Sequence, residues 1–437
     1  LMTPQGQKSP TFKAVLQAID GVKGKPKVNT EVKANEITSD IKSAQFMVDR
    51  VNTKEVKTRP QPPFITSSLQ QEAARRLRFG AQRTMQIAQQ LYEGIQLGSG
   101  DPVGLITYMR TDSTTLSTVS LTETNRFIKK RFGHEYGEKP RTYKTRSRNA
   151  QEAHEAIRPT EIARTPESIS SLLTTDQHRL YQLIWNRMVA SQMADSLADS
   201  TSIDITATAI PSKRKYVLRA TGWSPKFDGF RRLYTESRDD DSDDAETRKD
   251  LPRMTKGDRP ELANVESEQK FTQPPARYSE AMLIRALEEK GIGRPSTYAS
   301  IVSTIERREY VEREARRFKP TRLGLAVTDL LVTNFPDIMD LDFTAGMESK
   351  LDSVADGEID WAPMLGEFYG PFDAKINQAY NEARKIPWTE LAEKSEESCE
   401  KCERPMVIAS GRRGKFLACT GFPECRNSRP LRISTGA

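Results

Sequence analysis

Apolar residues recur along this chain in two rhythms, and the change from one to the other divides it. Residues 69–77 and about 82–93 carry helical spacing, the second with Met85, Ala88, Leu91 and Tyr92 on one face. Thr66-Ser67-Ser68 supplies polar caps ahead of the first, and the glycines between 98 and 100 end the pattern. Two more helices are predicted over 122–132, closed by Gly133, and from 175 to about 197, with Leu180, Leu183, Ile184, Met188 and Met193 as the apolar stripe. A period of two replaces this at Ile203, Ile205, Ala207 and Ala209, followed by Tyr216-Val217-Leu218, and predicts strands. Residues 1–63 hold shorter β-like runs, such as Phe46-Met47-Val48-Asp49-Arg50-Val51, and end in Arg59-Pro60-Gln61-Pro62-Pro63, where proline forbids helix. The two β-like stretches are expected to pair, closing one domain from separated segments.

Beyond 275 the pattern predicts helices over 278–290, 298 to about 308, 324–334, about 345–356 and 361–383, with a strand pair over 310–321. Five stretches follow: 1–66 and 198–274 as two parts of a β-rich domain, 67–197 and 275–388 as helical domains, and 389–437 as a small C-terminal unit. The fold class is multidomain α+β.

Several polar constellations interrupt these rhythms. Residues 104–115, Gly-Leu-Ile-Thr-Tyr-Met-Arg-Thr-Asp-Ser-Thr-Thr, read as a strand delivering Tyr108 and Arg110 to the same side, with Thr111, Asp112 and Ser113 beside them. A phenol with a pKa of about 10 is a poor nucleophile at neutral pH unless positive charge lies nearby. Spacing alone favours a half-buried strand aromatic followed by a turn or helix cap. Lys139, Arg141, Lys144, Arg146 and Arg148 surround Tyr143 in a loop that suits either a nucleic-acid backbone with a stacked base or plain solvent. In Gln151-Glu152-Ala153-His154-Glu155-Ala156-Ile157-Arg158-Pro159-Thr160, a helical conformation would place His154 and Arg158 on one face, able to grip one phosphate. The run from Asp239 to Asp244 reads as an acidic loop in preference to a magnesium site. Gly291-Ile292-Gly293-Arg294-Pro295-Ser296-Thr297-Tyr298-Ala299 makes a turn in which Ser296 or Thr297 caps the next helix and Arg294 stands near its N-terminus, either a phosphate seat or an ordinary helix corner.

Composition narrows the partner. The 437 residues allow two to four domains, but only 36% are hydrophobic and 29% are charged. A net charge of +7, with an isoelectric point near 9.0 and a mean hydropathy of -0.66, favours a polyanion. No apolar run approaches membrane-spanning length and no leader opens the chain, so a soluble, cytoplasmic protein without a membrane partner is expected. Leu1 precedes Met2, which reads as the start of a fragment.

The 4 cysteines, Cys399, Cys402, Cys419 and Cys425, all fall in the last unit as a C-x2-C pair and a C-x5-C pair. Two hairpin knuckles would bring four thiolates to a closed, structural zinc; a pair of disulfides is the alternative. Basic residues and Phe416 and Phe422 make single-stranded DNA a reasonable ligand of this unit, although the rings could equally pack the knuckles.

The segments at 104–113, 151–160 and 291–299 resemble, in order, three signatures of the type IA DNA topoisomerases of the bacterial topoisomerase I kind, and the cysteine cluster is similar to the ribbons those enzymes carry. The resemblance implies a torus of helical domains with a β-rich arch. It implies a reaction in which Tyr108 cuts one DNA strand, holds it as a 5′-phosphotyrosine while another strand passes, and reseals it without ATP. Arg110 and His154 would assist at the scissile phosphate, while Thr111, Asp112, Ser113, Arg158, Arg294, Ser296 and Thr297 would bind DNA. Implied partners are single-stranded and negatively supercoiled DNA and, through the tail, RNA polymerase; a monomer is expected. The family's Mg²⁺ is held by an α/β domain ahead of the β-rich one, and residues 1–107 read as no such domain. The expectation is therefore a fragment that binds single strands but does not relax DNA alone. Two other classes stay open: a non-catalytic single-stranded-DNA-binding scaffold and a zinc-ribbon interaction protein.

Overall fold

The computed structural model describes residues 1–4, 11–22, 24, 26–144, 154–237, 250–411 and 414–431. The β-rich part is built as the alternation predicts. Strands β2 (Val15–Ile19), β3 (Ala44–Thr58), β4 (Ser196–Ala209) and β5 (Lys215–Phe227) form an antiparallel sheet in the order β2-β5-β4-β3, while the short β1 (Met2–Thr3) pairs with β6 (Glu261–Leu262). The opening and middle of the chain thus share one sheet, with Ala44 opposite Ala209 and Thr58 opposite Ser196. Ile203, Ile205, Ala207 and Ala209 all point into its core with Phe46, Val48 and Tyr216.

That core is roofed by α1 (Glu31–Lys42), a helix not predicted above. Its apolar content is little more than Ile37 and Ile41, the two residues it buries. The Thr30 cap and the Glu31 and Lys42 charges at opposite ends are the signals that were legible.

The largest core joins α2 (Thr66–Glu72, continued by a π-helical turn Ala73–Leu77), α3 (Ala81–Glu93), α4 (Thr118–Phe132) and α5 (Thr175–Gln192). The predicted faces hold with one adjustment: α3 buries Thr84, Ile87, Ala88 and Leu91, leaving Met85 half-buried and Tyr92 exposed.

A smaller cluster belongs to α6 (Glu280–Glu289), α7 (Tyr298–Arg307) and the hairpin β7 (Val311–Glu314) and β8 (Arg317–Pro320), and Ala81 of α3 inserts into it. Glu280, itself buried, bridges the two units: its Oε1 accepts from Ala81 N at 2.6 Å and its Oε2 from Arg313 at 2.6 Å. A cavity of about 320 Å³ opens along this seam. Helices α8 (Arg322–Asn334), α9 (Leu341–Ala355), α10 (Trp361–Glu382) and α11 (Trp388–Leu391) lead to an antiparallel ribbon of β9 (Glu393–Ser398), β10 (Pro405–Gly411), β11 (Gly414–Cys419) and β12 (Ser428–Pro430). Among the described residues no helix is long and apolar enough to cross a membrane. The acidic run at 239–244 lies outside the described residues.

Candidate active site

Residues 104–113 form no strand, and the chain bends at Thr107, Met109 and Arg110, contrary to the prediction. Their neighbour is the segment 154–160, and Pro159 has no N–H to continue a ladder. What replaces the ladder is partly side chain. Thr107 N donates to Arg158 O at 2.9 Å, while the Thr107 hydroxyl donates to Ala156 O at 2.6 Å and accepts from Arg158 N at 3.0 Å. Thr160 closes the pairing by donating to Leu105 O at 3.0 Å and, through Oγ1, to Gly104 O at 2.8 Å.

Gly104 is there because the chain must lie against α3. Leu105 N donates to Leu91 O at 2.7 Å, and a Cβ on residue 104 would meet the Tyr92 carbonyl oxygen at 2.6 Å. The period-two reading survives without the ladder. Met109, Thr111 and Ser113 are buried, whereas Tyr108 is half-buried and Arg110 exposed.

Thr66, at the start of α2, clamps this segment from behind. Its hydroxyl lies 2.7 Å from Met109 O and 3.0 Å from Thr111 O, and it accepts from Thr111 N at 2.9 Å. The hydroxyls of Thr111 and Ser113 accept from the amides of Ser113 and Thr115 at 3.0 and 3.2 Å, so both shape the turn from inside.

The Tyr108 ring is held between two others. Tyr92 meets it edge-on with centroids 5.4 Å apart, and the His154 imidazole lies 5.5 Å from it at 55°. Segments 46 residues apart in the chain, at Tyr108 and His154, are thus in contact.

His154 and Arg158 do not share a helical face, because this stretch is extended. A residue before proline is pushed out of the α region, which the Arg158-Pro159 pair announced. Arg158 is instead fixed by Glu155, at 2.5 and 2.7 Å, and donates to Pro159 O at 2.8 Å. Glu155 also accepts from Ser117 N, the N-cap residue of α4, at 2.8 Å. Spacing marked Thr66 as a cap and Tyr92 as a helix-face residue but gave neither a place beside Tyr108, and it did not single out Glu155; each is recruited by a contact between distant segments.

The 291–299 turn reaches the same neighbourhood. Gly293 has φ +81°, which a side chain would strain. Thr297 does not cap the following helix with its side chain; its hydroxyl accepts from Arg294 N at 2.8 Å and closes the turn itself. Arg294 is anchored on α9 by Asp352 at 2.6 Å and Glu348 at 3.7 Å, and Ser296 is exposed. Burial, then the charge of Glu288, pushes the Tyr298 phenol up to about 12, with Asp112 adding to it and Arg294 opposing. Asp112 of the tyrosine segment and Arg294 of the turn therefore act on one ring.

Tyr143 is half-buried, and its hydroxyl is engaged. Its hydroxyl donates to Ser191 O at 2.6 Å and Pro60 O at 3.3 Å, tying the loop down, while Arg146 and Arg148 lie outside the described residues. In the ribbon, the four cysteines are free thiols whose sulfurs lie within 4.8 Å of one another, close to the spacing that a tetrahedral zinc with bonds of about 2.3 Å imposes. Asn427 donates to Cys399 Sγ at 3.3 Å.

A model of the DNA topoisomerase family matches residues 7–366, and one of the topoisomerase DNA-binding C4 zinc finger matches 396–433. The chain belongs to the bacterial type IA DNA topoisomerases. It is similar to the full-length topoisomerase I of Thermotoga maritima, with 32% identity and a TM-score of 0.71 over 96% of this chain. It spans 64% of the length of that relative.

Within this family framework, the three signatures meet unequally. Tyr108 and His154 meet, Arg110 is exposed, and Arg294 is engaged with Asp352 and Glu348 of α9. Among the described residues of the ribbon, Arg404 pairs with Glu424, Lys415 with Glu393 and Arg429 with Glu397 and Glu400. Phe422 is exposed and Phe416 half-buried.

Proposed function

We propose that this chain performs the cleavage and resealing of one DNA strand, the chemistry by which a type IA topoisomerase relaxes negatively supercoiled DNA without ATP. The phenolic oxygen of Tyr108 attacks a backbone phosphorus, the new O–P bond forms as the bond to the 3′ oxygen breaks, and the phenolic proton is lost while the 3′ oxygen gains one. Resealing is the reverse, and the energy of the phosphodiester stays in the tyrosyl link. The carrying observation is the contact of Tyr108 with His154; Arg110, two residues on, is open to solvent.

In this reading Arg110 neutralises charge that develops on the phosphate, and His154 holds the phosphate against the phenol. Arg158 and Arg294 place the flanking strand; each would exchange a carboxylate, Glu155 or Asp352, for a phosphate. Asp112, exposed Ser296 and the Thr297-closed turn shape the approach, with Thr111 and Ser113 holding it from beneath. For Mg²⁺ the residues present do not fit: among the described residues the one cluster of three or more metal-ligating side chains is the four cysteines. No step above is routed through Mg²⁺.

Labelled single-stranded oligonucleotide, denatured in complex with the protein, should stay attached to wild type and not to Tyr108→Phe. An adduct of equal yield from Tyr108→Phe would falsify the assignment. A relaxation assay with Mg²⁺ separately reads whether these 437 residues suffice for turnover.

A second reading concerns the ribbon alone, because Arg404 and Arg429 already hold glutamates. Removing residues 390–437 should weaken binding of single strands; unchanged affinity would assign the ribbon to a protein partner such as RNA polymerase. A chain acting on chromosomal DNA would work in the bacterial cytoplasm.

A further inference from the structure

Two side chains of α2 bury polar atoms that meet no partner. Gln70 is 0% exposed and Ser67 2%, and neither end of the Gln70 amide nor the Ser67 hydroxyl has a hydrogen bond among the described residues. Their neighbours on the helix are committed. Thr66 holds Met109 and Thr111; Gln71 donates to Glu288 of α6 at 3.4 Å; Glu72 accepts from Tyr234 at 2.7 Å; Leu69 and Ala73 lie in the core.

At about 100° per residue, Thr66, Gln70, Ser67 and Gln71 follow one another in that order around one half of the helix. Gln70 and Ser67 therefore occupy the arc between the tyrosine segment, which Thr66 touches, and α6, which Gln71 touches. This is the seam along which the Tyr108 unit meets the unit carrying Arg294. A buried amide bonded at neither end bears its full desolvation cost, and methionine would fill similar space without it. Such groups are useful in a seam that separates to admit a polar ligand.

We infer that Ser67 and Gln70 form a nucleotide-reading subsite for the strand cut at Tyr108, uncovered when α2 and α6 part. The Gln70 amide presents a donor beside an acceptor, the complement of a base edge that an unpaired nucleotide leaves free. The Ser67 hydroxyl is then available to the sugar–phosphate of the same nucleotide. The inference rests on the cleavage reading and adds to it a source of sequence preference.

Anisotropy with labelled homopolymeric single strands, and mapping of cleavage positions, test it on wild type, Gln70→Met and Ser67→Ala. Gln70→Met should melt higher, bind the preferred homopolymer about 5- to 100-fold more weakly and flatten the ranking of bases. Ser67→Ala should weaken all homopolymers alike. A folded Gln70→Met with wild-type ranking and cleavage positions overturns the proposal. Should that variant not fold, Gln70→Glu, of the same shape, carries the same comparison. Wild type that binds single strands but forms no Tyr108 adduct sinks the cleavage reading while the base ranking still decides the subsite. Wild type that binds no single strand overturns both.

Discussion

At the scale of single residues, the site depends on short polar side chains that substitute for backbone pairing. Thr107 does so beside Pro159, and Thr66 does so behind Met109 and Thr111. Thr66→Val keeps the shape and deletes the hydroxyl, leaving buried backbone groups unpaired. We expect a loss of about 1–3 kcal/mol in denaturant unfolding. The yield of covalent DNA adduct should fall with it, although Tyr108 is untouched. A variant of wild-type stability would mean that the clamp contributes nothing. The residues that spacing pointed to, Tyr108, Arg110, His154 and Arg294, are neutral in this respect; their meaning comes from what they face.

Among elements, helices were more readable than their partners. The stripes of α5 and α7 and the alternation of β4 appear in the sequence as period 3.6 and period 2, since each buries one face. Two segments depart from regular helix or strand around Pro159, a residue legible in the sequence. The run 154–160 is extended through its pairing with 105–107, and 104–113 lacks a ladder because that partner contains Pro159. Helix α1 escaped because a short amphipathic cover needs only two buried isoleucines.

The ribbon is an element whose stability belongs to its metal. Its own core is Cys399, Met406, Leu417 and Cys419, too little to order strands unaided. Removing zinc with a chelator should abolish protection of the β10 and β11 amides in hydrogen exchange while leaving α5 protected. Retained protection in β10 would show that the ribbon folds without the ion.

For the whole molecule, buried phenols set an alkaline limit. Burial is the main cause that pushes Tyr143 and Tyr216 up to about 12, as it does for Tyr298. Unfolded tyrosines release their protons near pH 10, so above that the unfolded chain binds fewer protons than the folded one. Stability should therefore be complete below about pH 10 and decline as pH rises toward about 12. Denaturant midpoints across that window, read beside phenolate absorbance, check the sign; a flat profile would mean these rings ionise freely in the fold.

What the chain's order of residues settled by itself was local: where most helices and strands run, and that four closely spaced thiols suit one ion. These follow from periodicity and short-range chemistry, which need no knowledge of distant neighbours. Tertiary structure alone decided that Tyr108 lies against His154, that Glu155 and Asp352 occupy the arginines, and that Ser67 and Gln70 are buried without partners. The physical reason is that ring contact, ion pairing and burial depend on distances across space, and segments 199 residues apart, such as Ala81 and Glu280, meet only once the chain has folded.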